Sequence, residues 1–308
     1  MSFSEGITIC SVYHSSETKR LLELNYDLVT ALHPGTPIRW IVGDNTPSEM
    51  KEKIDPQKFI VVPGAGELEG ILGRRGSYRH AHALRNATKH ITTRFALVLD
   101  IDFYIVVPEW MQEIPRYMKE HNLAFFGVSW HPSYLWKWRY FPSPHTLFVD
   151  MSKIPATDLD FVPDYDLAHP LLLSWKKSLF KNLIPFRLRK RLGINTSRDT
   201  GYKIYKKYFR SAAYACAQSV VEKIENPSFL LPERLSIVPK RAGYLTQVRF
   251  SDLGYPDCMG EGWEEFMWKE KPYGFHIRGS DKLQDDLEGN IIRIRSILDQ
   301  FRVKNNGG

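Results

Sequence analysis

With 308 residues, 43% hydrophobic and 25% charged, the chain can bury one large core or a core and a half. Its formal net charge of +7 points to polyanionic partners: nucleic acid, anionic lipid or phosphorylated small molecules. No apolar run approaches the roughly 20 residues of a membrane span. The amino terminus lacks a basic-then-apolar leader, and Cys10, Cys216 and Cys258 form no C-x-x-C pair. These features exclude a spanning helix and argue against a zinc ribbon or redox dithiol; they fit a cytosolic soluble chain.

Residues 7–13 (ITICSVY) are short, apolar and β-branched, and predict a first strand. Ser15 or Ser16 can cap a helix whose inner face is Leu21, Leu22, Leu24, Leu28, Val29 and Leu32. Residues 38–42 and 59–62 predict a second and a third strand. Strand–helix–strand with short connections implies a parallel, right-handed α/β unit. Ligands bind at the carboxyl ends of strands in such sheets. Tyr13 and His14 follow the first strand, and Asp44 follows the second. Asp44 can accept from a base or a ribose hydroxyl, or simply form an Asp-Asn turn.

Residues 64–76 are Gly-rich and contain Arg74 and Arg75. Residues 77–91 predict a helix with Ala81, Leu84, Ala87, Thr88 and Ile91 inward. Its Arg85 can reach a diphosphate bidentately or sit on the surface. Residues 95–107 (FALVLDIDFYIVV) read as one strand apolar on both faces, the pattern of a central parallel strand. Asp100 and Asp102 stand in it. Two acids one residue apart share a strand face at roughly 6–7 Å. At a strand end both can approach one divalent cation, Mg²⁺ or Mn²⁺, shared with substrate phosphates. The bland alternative is two polar residues facing solvent.

Residues 83–87 (ALRNA), followed by an apolar strand ending in Asp100-Ile101-Asp102, resemble the nucleotide-sugar half of GT-A glycosyltransferases, most of all family 2. The resemblance covers residues 5–150 well and the remainder only in patches. It implies a GT-A (Rossmann-like), mostly parallel α/β sheet flanked by helices, with a carboxyl-terminal acceptor-side extension. It also implies that Asp102 binds the metal bridging the donor diphosphate. Asp100 would contact the ribose, or the metal through water, and Asp44 the base. The implied division is a nucleotide-sugar half at 1–150 and an acceptor side at 151–270. A metal and phosphate segment with a closing helix follows at 271–308.

Residues 108–121 predict a helix with Pro at its first position, and 124–128 and 146–150 predict strands. Between those strands, Trp130, Trp136 and Trp138 lie in an aromatic stretch that can stack on sugar faces or fill a core. Residues 175–192 (WKKSLFKNLIPFRLRKRL) interleave basic and apolar residues with no acid. That suits an interfacial segment on anionic lipid at the inner face of a membrane, near a lipid-linked acceptor. A solvated basic loop competes with that reading. No nucleic-acid module accompanies the segment, so nucleic acid is not expected as a partner.

Asp199 precedes a helix expected over 202–217 and can serve as its N-cap. In inverting GT-A enzymes a carboxylate at such a place is the general base that deprotonates the acceptor hydroxyl. Asp199 is the candidate here, with Asp164 and Asp166 as rivals. The family's Glu-Asp pair is Arg198-Asp199 in this chain, so the match is partial. Residues 276–282 contain H-x-x-G-x-x-K, resembling a retaining GT-A motif without its following Pro-Trp. It implies His276 as a metal ligand and Lys282 near the diphosphate. Residues 289–301 predict a last amphipathic helix with Ile291, Ile294, Leu298 and Phe301 inward.

The expected function is a metal-dependent, inverting sugar transfer from a nucleotide-diphosphate donor to a glycan or lipid-linked hydroxyl, in surface polysaccharide or glycoconjugate assembly. A retaining transferase is the nearest alternative. A non-catalytic module of the same fold that binds glycans or membranes is the alternative from another class.

Overall fold

The computed structural model describes residues 3–51, 53–65, 76–131, 140–164, 198–222, 244–277 and 286–306. β1 (Ser4–Tyr13) leads to α1 (Ser16–Leu32) and β2 (Arg39–Asp44). Ser15 caps α1 in a capping box: its hydroxyl accepts from Thr18 N–H, and Thr18 Oγ1 accepts from Ser15 N–H. β3 (Ile60–Pro63), α2 (Gly76–Thr88) and β4 (Thr93–Leu99) follow. β3, β2, β1 and β4 lie side by side and parallel, in that order. Alternate residues of β1 explain why it is apolar throughout. Ile7 and Ile9 join α1 in one core cluster, and Cys10 and Val12 join α2 in the other.

Beyond β4 the sheet changes character. β4 pairs antiparallel with β7 (Thr146–Asp150), which pairs antiparallel with β6 (Phe125–Val128). β8 (Tyr214–Val220) lies parallel to β6, and β9 (Leu245–Thr246) lies parallel to β8. β10 (Glu264–Trp268) and β11 (Lys271–His276) then pair antiparallel. β11 pairs in turn with β5 (Phe103–Ile105). α3 (Trp110–Glu120) and α5 (Leu287–Asn306) pack on the face that carries α1, and α4 (Tyr202–Tyr208) on the face that carries α2. Ile291, Ile294, Leu298 and Phe301 of α5 are buried, as its periodicity predicts. The architecture is the expected α/β sheet flanked by helices, parallel through β3, β2, β1 and β4 and mixed beyond them.

Four sequence expectations differ locally. Residues 95–107 are two strands: β4 ends at Leu99, the chain turns over Asp100–Asp102, and β5 pairs with β11 instead of with the parallel half. Both pieces are buried, so their composition is that of one central strand. The helix expected over 202–217 stops at Tyr208, because 214–217 are claimed by pairing with β6. Sheet pairing overrides the helix preference of an Ala-rich stretch there. Asp199 is not the N-cap of α4: Gly201 is, at φ 79°. Pro108 likewise stands before the N-cap of α3, which is Glu109, and not at its first turn.

Candidate active site

The parallel register sets the stage. Tyr13 pairs with Asp44 across β1 and β2, and Cys10 pairs with Val98 two residues short of Asp100. The carboxyl ends of β1, β2 and β4 therefore share one edge of the sheet, the edge where α/β sheets bind ligands. Asp44 Oδ1 accepts from Thr46 N–H at 2.8 Å, and Lys51 Nζ lies 3.7 Å from its Oδ2. Tyr13 is buried in the core, and His14 is exposed with its backbone N–H on Thr18 Oγ1. Gly43 allows α2 to approach β2: a Cβ there would sit 2.9 Å from Ala83 Cβ.

The turn that carries Asp100 and Asp102 is held from every side. Phe103 N–H donates to Asp100 O at 3.1 Å, closing it. Asp100 N–H donates to His145 O at 2.9 Å, and Ile277 N–H donates to Asp102 O at 2.9 Å. Ser11 Oγ donates to Leu99 O at 2.6 Å and accepts from Trp40 Nε1 at 3.0 Å. From α1, the buried Asn25 amide donates to Phe103 O at 2.8 Å and to Ile101 O at 3.4 Å. Backbone groups that a bare turn leaves unpaired are thus satisfied.

Imidazoles converge on these carboxylates from three further elements. His145 stands just before β7, opposite Asp100, with Nε2 3.9 Å from Asp100 Oδ2 and Nδ1 2.8 Å from Ser143 Oγ. His276 ends β11, with Nε2 3.3 Å from Asp102 Oδ1 and Nδ1 3.2 Å from Glu264 Oε2. The two rings lie 4.5 Å apart between centroids. His80, on α2, brings Nε2 to 3.4 Å from Asp100 Oδ1. One ligand atom each from Asp100, His145 and His276 lies within 4.8 Å of the others. Burial disfavours charge on His276, but the carboxylates of Asp102 and Glu264 outweigh it and lift its pKa to about 9. Burial acts likewise on His80, where Asp100, Asp102 and Asp199 win and hold the pKa above the usual imidazole value.

The residues present fit a divalent metal. Asp100 Oδ1 is a buried carboxylate oxygen that His80 Nε2 approaches at 3.4 Å, and Asp100 shares a close cluster of ligand atoms with His145 and His276. A mixed nitrogen and oxygen set suits Mn²⁺ better than Mg²⁺, which keeps to oxygen ligands and water. The grouping differs in detail from the resemblance, which gives Asp102 the leading part. Here Asp100 joins the two imidazoles, and Asp102 pairs with His276.

Of the other expected residues, Arg85 and Asp164 have surroundings of their own, whereas Asp199 and Trp130 border the cluster. Arg85 is exposed in the last turn of α2, about 140° round the helix from His80 at 100° per residue. Asp164 is half-buried with Lys206 Nζ 3.7 Å away. Asp199 is buried, its Oδ1 accepting from Thr200 N–H at 2.9 Å, and its charge reaches His80. Trp130 is buried edge-on against His145, with centroids 4.3 Å apart. Asp166, Lys282, Trp136, Trp138, Arg74, Arg75 and the basic segment 175–192 lie outside the described residues. His80, His145, His131 and Glu264 belong to the cluster or border it, and the sequence does not single them out for it. His145 becomes a neighbour of Asp100 only because β7 runs antiparallel to β4, a pairing that no local motif encodes.

No protein-family model matches the chain, and no curated protein matches it by sequence. Among solved structures it is similar to the galactosyltransferase LgtC in complex with donor and acceptor sugar analogues. The identity is 14% and the TM-score 0.37, over 68% of this chain and 73% of that one. A fragment of TarS from S. aureus is similar at 12% identity and TM-score 0.34, over 51% of this chain and 50% of that one. The mannosyltransferase PcManGT from Pyrobaculum calidifontis, in complex with GDP-Man and Mn²⁺, is similar at 12% identity and TM-score 0.34, over 56% and 52%. These likenesses are distant, and the functional reading rests on the side chains of the site.

Proposed function

We propose that the chain is a metal-dependent glycosyltransferase that moves a sugar from a nucleotide-diphosphate donor to a hydroxyl of a glycan or lipid-linked acceptor. The observation that carries this reading is the meeting of Asp100, Asp102, His145 and His276 at the carboxyl edge that also bears Asp44 and Tyr13. Asp100, His145 and His276 would hold Mn²⁺, with Asp102 beside it. The bound ion would supply positive charge for the departing diphosphate, the electrostatic term that most lowers such a barrier. Asp44 would accept from the nucleoside.

Asp199 is the base in this reading. It is buried on the α2 side of the cluster, electrostatically coupled to His80. A carboxylate there can take the acceptor proton as the hydroxyl attacks the anomeric carbon from the face opposite the diphosphate, which inverts that carbon. Trp130, Trp136 and Trp138 belong to the acceptor side, and residues 175–192 to an anionic membrane surface near a lipid-linked acceptor. Surface polysaccharide or glycoconjugate assembly is the matching setting. Among the described residues no helix is long and apolar enough to cross a membrane.

A thermal-shift screen of UDP-, GDP-, CMP- and dTDP-sugars, with and without Mn²⁺, tests this. A ligand that binds only the folded chain raises its melting point in step with RT ln(1 + [L]/Kd). The expected result is a shift with one nucleotide class that requires Mn²⁺ and disappears in Asp100→Asn. No shift with any nucleotide in the presence of Mn²⁺ returns the weight to a non-catalytic binding module.

A further inference from the structure

We propose that Glu264 is a positioning residue that fixes the ring of His276 so that Nε2 is the atom offered to a metal ion. The inference rests on the metal site proposed above. Glu264 and His276 stand directly opposite each other where β10 and β11 pair antiparallel, so the strand register itself brings them together. Glu264 Oε2 lies 3.2 Å from His276 Nδ1. An ionised carboxylate only accepts, so the proton of that bond belongs to Nδ1. Nε2 faces the Asp102 carboxylate at 3.3 Å, so the metal-free ring carries a proton there too, and a metal ion that displaces that proton meets the Nε2 lone pair on the side of Asp102 and Asp100. The side chains of His276 and Glu264 are 5% and 10% exposed, so water competes little for the bond.

The carboxylate is braced in its turn. Glu264 Oε1 lies 3.7 Å from Nδ1 of His131, whose Nε2 donates to Val220 O at 3.0 Å. β8 therefore holds His131, His131 flanks Glu264, and Glu264 aims His276. The next residue does something else: Glu265 accepts from the backbone N–H groups of Phe250 and Met259 at 2.8 and 3.0 Å, which ties a loop to β10. Metal-bound histidines commonly pass their other N–H to a carboxylate, and loss of that partner costs about 10–100-fold in metal affinity.

The test is Mn²⁺ affinity by calorimetry for wild type, Glu264→Gln and Glu264→Leu. It is joined by ¹H–¹⁵N NMR of the histidine rings with Zn²⁺ as the diamagnetic ion. The expected result is a protonated Nδ1 and a metal-shifted Nε2 on His276 in the wild type. Glu264→Gln, whose amide oxygen still accepts, loses up to about 10-fold in Mn²⁺ affinity, and Glu264→Leu loses about 10–100-fold together with the Nδ1 proton signal. Circular dichroism confirms the fold of each variant. Should the leucine variant not fold, the isosteric glutamine decides, and unchanged affinity there overturns the proposal. Uptake of Mn²⁺ that ignores Glu264, or Zn²⁺ on Nδ1, overturns this inference alone. Failure of the wild type to take up either ion overturns both this inference and the metal site.

Discussion

His145 shows what a single side chain adds to this site. Its neighbours include Ser143 on Nδ1, Asp100 beyond Nε2, the His276 ring and the edge of Trp130. His145→Ala removes one imidazole from the proposed metal cluster. The expected outcome is Mn²⁺ affinity lowered by about 10–100-fold, in the range seen when a partner of the metal shell is lost, with the fold retained. Unchanged Mn²⁺ affinity by calorimetry counts against His145 as a ligand. A second histidine, far from the site, governs acid stability. His33 is buried edge-on to Trp110 at 5.1 Å between centroids, and burial pushes its pKa down to about 4. Unfolded, it titrates near 6.5. Between those values the unfolded chain binds the extra proton, so stability is full above pH 6.5 and falls as pH drops toward 4. The loss is at most about 3 kcal/mol, reckoned at about 1.36 kcal/mol per pKa unit. Melting curves across that range are expected to flatten in His33→Leu, and an unaltered acid limb rules His33 out as the cause.

At the scale of elements, the turn between β4 and β5 is where packing becomes chemistry. Asn25→Leu strips two backbone carbonyls of a buried donor and is expected to cost about 1–3 kcal/mol. Because those carbonyls flank Asp102, the variant is also expected to weaken Mn²⁺ binding, which an equally destabilising core substitution on β3 does not do. Gly274 is as sensitive for a steric reason. A Cβ there would meet Tyr104 O at 2.5 Å and Phe103 Cε1 at 2.8 Å, so Gly274→Ala forces β11 away from β5. Overpacking of this kind costs about 1–3 kcal/mol, read as a shifted urea midpoint, and it displaces His276 two residues on. A midpoint unchanged by Gly274→Ala shows that β11 yields without strain.

The whole molecule joins a parallel half-sheet to a mixed half in which β7 runs antiparallel to both β4 and β6, and the candidate site lies at the join. The parallel half was legible because its signals are local. Ser15 caps α1, period-3.6 apolar residues mark α1, α2 and α5, and apolar β-branched runs mark β1 and β2. Asp100, Asp102 and His276 were legible as motif residues. The apolar stretch around the acids hid its own turn, because β4 and β5 are equally buried. His145, His80 and Glu264 could not be read, since each reaches the site through strand pairing or helix packing over a long separation. The ladder makes a prediction at this scale. Mn²⁺ addition is expected to slow hydrogen exchange together at Asp100, Phe103 and Ile277, whose N–H groups join β4, β5, β7 and β11, and to leave β3 at the sheet edge unaffected. Protection spread evenly over the sheet means that the ion binds elsewhere or nonspecifically.

The order of the sheet also sets an order in time. A chain made from its amino end has β1, α1, β2 and β4 in hand early, and these can pair at once. β5 has no partner until β11 has been synthesised, and Asp100 waits for His276. During synthesis, Phe103, Tyr104 and Ile105 therefore stand as an unpaired edge, and Asp102 stands without His276. A chain stalled before residue 264 can own a folded parallel half and still lack His276 and the strand that pairs with β5, so under the proposed function a truncated product is expected to be inert however well its first half is built.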